Sequence, residues 1–156
     1  MLKTKKHFTI IELLVVIAII SILAALILGG VASARESARQ TQAKTECQQL
    51  AAAIEQYLST YKIFPVVDPS IDTDSNDTVM LEVLQGNNAR KIIFYKNSSS
   101  SVSIPWDQNK YYTISFDDDY DTQVAGDNGN ISGTVAVWTN QTKDNDTIRS
   151  WTTDVD

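Results

Sequence analysis

From Leu13 to Val31 the chain carries no charged side chain, and only Ser21, Gly29 and Gly30 interrupt its aliphatic and alanine residues. With Ala32 the run is long enough for a helix of roughly 30 Å, at about 1.5 Å per residue, which is the hydrocarbon thickness of a bilayer. Glu12 stands at the head of this run, and Lys3, Lys5 and Lys6 precede it. A carboxylate in hydrocarbon costs roughly 2.5–3.5 kcal/mol at a helix centre and less near an end, so Glu12 calls for a partner.

The helical pattern continues past the apolar run. Residues 33–62 contain neither proline nor glycine and are rich in good helix formers, while Leu50, Ala53, Ile54, Tyr57, Leu58 and Tyr61 recur on one helical face. A helix from Phe8 to about Tyr61 would be roughly 80 Å long. Pro65 cannot continue it, and residues 66–76 have the composition of a loop. Asp77 is placed to cap a short helix from Thr78 to Gln85, closed by Gly86. The pattern then changes to that of strands, at Lys110–Phe116, Gly133–Thr139 and, more weakly, Thr147–Trp151. Three short strands in one antiparallel meander need a second layer, and the apolar face of residues 50–61 supplies it. The expected fold is α+β: a long N-terminal helix packed in its upper half against a small C-terminal antiparallel sheet.

Charge divides the chain in the same place. The net charge of −6 combines seven Lys/Arg and four Glu in residues 1–62 (+3) with six Lys/Arg and fifteen Asp/Glu in residues 63–156 (−9). So acidic a C-terminal part repels phosphate backbones, which argues against nucleic-acid binding, whereas lysines ahead of an apolar run are placed as membrane-orienting charges. The partner implied is lipid or other copies of the same helix. Cys47, the only cysteine, cannot close an internal disulfide and reads as an inert helix residue.

Three objects fit the N-terminus. A secretory signal peptide would use the lysines as its basic region and Ala32-Ser33-Ala34 as its cleavage site, but its apolar core normally runs about 7–15 residues. A plain signal anchor explains the length and the lysines and leaves Glu12 without a role. The third object is a prepilin: Phe8-Thr9-Ile10-Ile11-Glu12-Leu13-Leu14-Val15-Val16-Ile17-Ala18-Ile19-Ile20 resembles the start of type IV pilins and type II secretion pseudopilins. The helix exit at Tyr57 to Pro65 resembles the G class of pseudopilins. Ile104-Pro105-Trp106-Asp107 stands where that class often carries an Asp-Pro-Trp-Gly turn, with Gln108 in place of the glycine.

The resemblance implies a cytoplasmic leader of residues 1–7, a transmembrane assembly half at 8–32, and a periplasmic head at 33–156. The head divides into helix 33–62, loop and short helix 63–100, and β-meander 104–156. A prepilin peptidase would cut between His7 and Phe8 and methylate the Phe8 amine, although the family usually has glycine where His7 stands. Glu12 would then meet the Phe8 amine of a neighbouring subunit in a homo-oligomeric filament, alongside minor pseudopilins and an inner-membrane assembly platform. Gly29 and Gly30 lie where the family's helix can unwind, and are expected to form a hinge. The first expectation is a type II secretion pseudopilus subunit, then a type IV or competence pilus subunit. From another class comes a membrane-anchored or secreted periplasmic binding module.

Two acidic clusters raise the question of calcium. Asp117, Asp119 and Asp121 have the D-x-D-x-D spacing of calcium loops, yet Thr122 occupies the sharp-turn glycine position and Asn128 the closing glutamate, so they do not form an EF-hand. Asp144 and Asp146 lie between the last two expected strands, where the resemblance puts a calcium loop, and are placed slightly ahead. Catalysis is not expected: the only histidine is in the leader, and no nucleophile–base pair or phosphate loop appears.

Overall fold

The computed structural model describes residues 8–66, 73–97, 99–142 and 146–151. The chain forms two compact units, Met1–Ala38 and Arg39–Asp156. One helix, α1 (Ile10–Tyr61), contributes to both.

Within the first unit, α1 is helical throughout and its large aliphatic side chains lie on the surface. Leu13, Ile17, Ile20, Leu23, Leu26 and Leu28 are all more than half exposed. The segment is long and apolar enough to cross a membrane.

In the second unit, α1 turns Ala43, Cys47, Leu50, Ala53, Ile54 and Tyr57 into the core, with Leu58 and Tyr61 partly buried beside them. The three-and-four spacing of these positions is the cause: it holds one stripe of the helix against the rest of the unit. The expected face is therefore present, and extends about two further turns back through Cys47 and Ala43. The helix ends at Tyr61, ahead of Pro65. The Lys62 N–H closes on the Leu58 carbonyl at 2.7 Å, and Lys62 takes a left-handed φ of 61° without being glycine.

A short strand β1 (Thr73–Asp74) precedes helix α2 (Thr78–Leu84). Asp77 caps α2 as expected, its Oδ1 accepting from the N–H groups of Val79 and Met80 at 3.0 Å each. At the other end Gly86 has φ +107°, donates to Val83 O and is followed by Asn87, which donates to Glu82 O. This pair of bonds is a Schellman closure, which needs a residue that tolerates positive φ.

Seven further segments complete the unit: β2 (Ser103–Ile104), β3 (Asp107–Tyr111), β4 (Thr113–Phe116), β5 (Gln123–Gly126), β6 (Gly129–Ser132), β7 (Val135–Thr139) and β8 (Ile148–Arg149). The main sheet is antiparallel in the order β1-β4-β7-β8, with Ile114 opposite Val137 and Phe116 opposite Val135. The three expected strands are thus neighbours, but two details differ. The run Lys110–Phe116 divides at Tyr112, because residues up to Tyr111 pair back with β2 around the Pro105-Trp106 turn while Thr113–Phe116 join the main sheet. The path from β4 to β7 is also no simple meander: the β5–β6 hairpin is inserted, turning at Asp127-Asn128 with Gly129 at φ +125°. The α2 residues Met80, Leu81 and Leu84 join Ile114, Phe116, Val135 and Val137 in the core with the α1 stripe. Each such aliphatic or aromatic side chain contributes about 1.5–3 kcal/mol by leaving water.

Candidate functional site

The N-terminal segment holds the first set of candidate residues. His7 lies outside the described residues; Phe8 is 73% exposed. Glu12 has a partner in its own chain. Its Oε2 accepts from the Thr9 N–H and from the Thr9 hydroxyl, both at 2.8 Å, and the Glu12 N–H in return donates to Thr9 Oγ1 at 3.3 Å. Thr9 is the N-cap and Glu12 the third helical residue, so Thr9-x-x-Glu12 is a capping box. That signal was readable from the sequence alone: a threonine followed three residues later by glutamate, ahead of an apolar run. The box satisfies two orphan N–H groups, that of Thr9 with the carboxylate and that of Glu12 with the Thr9 hydroxyl, and leaves the charge itself exposed.

Farther along, Ser21 donates to the Ile17 carbonyl at 2.7 Å, which keeps its hydroxyl satisfied within the apolar run. The helix passes through Gly29 and Gly30 without interruption. A Cβ at Gly30 would meet nothing within 4 Å, so packing inside this unit does not require glycine there.

The second set is the acidic loop after β4. Asp117 is buried at the strand's end, and its two carboxylate oxygens accept from the N–H groups of Asp121 and Thr122 at 3.0 Å each. Asp119 Oδ1 also accepts from the Asp121 N–H at 3.2 Å, and Asp121 Oδ1 accepts from Gln123 N at 2.7 Å. These bonds curl the loop so tightly that Tyr120 and Thr122 take left-handed φ values of 59° and 68°. One oxygen from each of Asp117, Asp119 and Asp121 comes within 4.8 Å of the others. Calcium binds oxygen at about 2.3–2.6 Å, so two ligands of one ion stand no more than about 5 Å apart, and the three carboxylates satisfy that limit. Asp144 lies outside the described residues. Asp146 is exposed, and its carbonyl accepts from the buried Thr142 hydroxyl at 2.8 Å.

Several polar residues that organise the head carry no sequence signal. Tyr112 is fully buried, and its hydroxyl donates to Glu46 Oε2 at 2.5 Å, while Gln42 donates to the other oxygen at 2.8 Å. Burial, followed by the Glu46 carboxylate, pushes the Tyr112 phenol far above its ordinary value. Burial likewise raises Tyr95 to about 12 and Cys47 to about 12, with Glu46 adding to both. Ser75 is buried; its hydroxyl donates to the Val102 carbonyl and accepts from Tyr112 N at 3.0 Å. Asn88 receives the Tyr61 hydroxyl at 2.8 Å and donates to the Val83 and Ile92 carbonyls. Arg149 grips Asp127 through Nε to Oδ1 at 2.7 Å and Nη2 to Oδ2 at 2.5 Å. Hydrogen bonding from Arg149 holds the Asp127 carboxyl below the usual carboxylate range, against the opposing effect of burial.

Comparison with protein-family models, with curated proteins and with solved structures returns no match.

Proposed function

We propose that this chain is a structural subunit of a type II secretion pseudopilus, anchored in a bacterial inner membrane by α1 with its head in the periplasm. The observation that carries the reading is the N-terminal segment: an uninterrupted helix whose aliphatic side chains find no cover in their own unit, opened by Phe8 and a single carboxylate at Glu12. Lipid or neighbouring copies of the same helix are the media in which such a surface is stable. In this reading a prepilin peptidase cuts between His7 and Phe8, and the freed amine of one subunit meets Glu12 of the next at a fixed axial offset. Subunits extracted from the membrane stack with minor pseudopilins on an inner-membrane platform, and extension of the filament moves cargo outward. Gly29-Gly30 supplies the place where the helix yields during packing, since each glycine weakens a helix by about 1 kcal/mol relative to alanine. A type IV or competence pilus subunit is the variant of the same proposal.

A second reading draws on the capping box. Because Thr9 already partners Glu12, the carboxylate does not need a neighbour's amine, as in an uncleaved anchor that carries a periplasmic binding module. N-terminal sequencing of the membrane-extracted protein separates the readings. N-methyl-Phe8 supports the filament; Met1 as first residue supports the anchor; Ala34 or Arg35 supports a cleaved signal peptide.

Calcium at the acidic loop belongs to the proposal, with Asp117, Asp119 and Asp121 as the carboxylates the geometry favours and Asp144 and Asp146 as the second set. Calorimetric titration of calcium into the detergent-solubilised protein tests it. Absence of both heat and a change in melting temperature at millimolar calcium would remove the ion from the reading.

A further inference from the structure

Five of the nine asparagines stand two residues ahead of Ser or Thr with no proline between: Asn76, Asn97, Asn130, Asn140 and Asn145. That spacing is the acceptor pattern for N-linked sugar in exported proteins. The sequence does not choose among the five; the structure does. Asn145 lies outside the described residues. Asn97 uses its carboxamide oxygen to accept from Ser99 N, and Asn130 sits in β6 with its amide directed to Gln123. Asn140 is exposed, but the hydroxyl two residues on, that of Thr142, is buried and spent on the Asp146 carbonyl.

Asn76 differs in each respect. It is exposed on the turn between β1 and α2, and Thr78, the hydroxyl residue of its triplet, is exposed as well. Neither side chain has a hydrogen-bond partner among the described residues. The turn beneath is firmly held: Asp74 Oδ1 accepts from the Asn76 N–H at 2.9 Å, Asp77 caps α2, and Ser75 is locked between Val102 and Tyr112. An open depression beside Asn76 is lined by Thr73, Asp74, Asn76, Asp77 and Thr113, all with hydroxyl, carboxylate or amide side chains. Such a lining offers hydrogen-bonding groups to the hydroxyl groups of a sugar. The site also borders β1, the edge strand of the main sheet.

We propose that Asn76 is an N-glycosylation site, its acceptor triplet being Asn76-Asp77-Thr78. The sugar donor is an oligosaccharide linked through diphosphate to a polyprenyl lipid. The carboxamide nitrogen of Asn76 attacks C1 of the first sugar and forms the N–C1 bond. The C1–O bond to the diphosphate breaks, polyprenyl diphosphate leaves, and the displaced amide proton passes to a base of the transferase. The attached sugar lies over the depression beside β1. The inference rests on the exported head of the proposed function, though it needs only export and not a filament.

Intact and peptide mass spectrometry of the full chain, extracted from its native membranes, tests it. The expected result is a sugar increment on the peptide holding Asn76, lost in Asn76→Gln and in Thr78→Ala and retained in Thr78→Ser. None of these changes removes a side-chain hydrogen bond among the described residues. A bare Asn76 peptide, an increment on other residues only, or an increment that persists in Asn76→Gln would overturn the assignment. The N-terminal peptide in the same spectrum keeps the two readings apart. N-methyl-Phe8 with a bare Asn76 ends this inference and leaves the filament standing; Met1 with sugar on Asn76 does the reverse.

Discussion

Tyr112 shows how much one residue can decide in a head of this size. It stands between β3 and β4, is fully buried, and hydrogen-bonds through its hydroxyl to Glu46 and through its backbone N–H to Ser75. A hydrogen bond to a charged acceptor contributes about 1.5–3 kcal/mol, and half-buried Glu46 keeps Gln42 when the phenol is removed. Tyr112→Phe is therefore expected to lower stability by about 1.5 kcal/mol, measured by thermal or urea unfolding in detergent. Cys47 gives a second outcome at this scale. Its buried thiol, pushed up to about 12, is almost wholly protonated at pH 8. An alkylating reagent should leave it untouched in the native protein and label it rapidly once the chain is unfolded. The helical placement of Cys47 was readable from the sequence. Ser75, Glu46 and Tyr112 were not, because each is an ordinary residue whose partner lies 27 or more positions away.

Among the elements, those with local causes were legible. The 52-residue helix α1, its core stripe, and α2 with its Asp77 cap and Gly86 closure all follow from spacing and termini within a few residues of one another. The Thr9-Glu12 box has the same local character. The strands β4, β7 and β8 were legible both as strands and as neighbours, whereas β1, β2, β5 and β6 were not read. Nothing near Lys110 states that the run splits at Tyr112, whereas Asn128-Gly129 beside Asp127 is a hairpin signal that the strand pattern alone passes over. The hairpin is fastened to β8 by the Arg149–Asp127 pair, and this fastening has a pH dependence. Asp127 is held below the usual carboxylate range in the folded chain, so on acidification the unfolded chain takes up the proton first. The pair's stabilisation is full above the unfolded carboxylate value, about 3.9, and is lost as the pH falls through the lower folded value. The stability gap between the native protein and Asp127→Asn is expected to be widest near neutral pH and to close as pH falls below about 4, followed by melting temperature across that range.

At the scale of the whole molecule, the question is what covers α1 between Leu13 and Val31. The side chains are chemically suited to lipid and to copies of themselves, and Glu12 distinguishes the two. A capping box accepts glutamine at the position of Glu12 as well as glutamate. Glu12→Gln thus keeps the cap and removes only the charge. If subunits pair Glu12 with a neighbour's amine, the variant remains in the membrane at normal levels and loses the ladder of cross-linked oligomers; an unchanged ladder would assign Glu12 to capping alone.

The sequence by itself determined the apolar segment, the helix that carries it onward, the charge division and the α+β class, because each depends on composition or on periodicities of about one helical turn or less. The tertiary structure alone decided strand order, the place of the hairpin between β4 and β7, and the Ser75–Tyr112–Glu46 connection. It also gathered Asp117, Asp119 and Asp121 within 4.8 Å of one another and left Asn76, among the candidate acceptors described, on an open turn with its triplet's hydroxyl free. The Ser75, Tyr112 and Glu46 contacts join residues far apart in the chain, whose meeting depends on how the whole head closes. A pattern along the chain records which surfaces must be buried, and the closed fold selects the partner that buries each one.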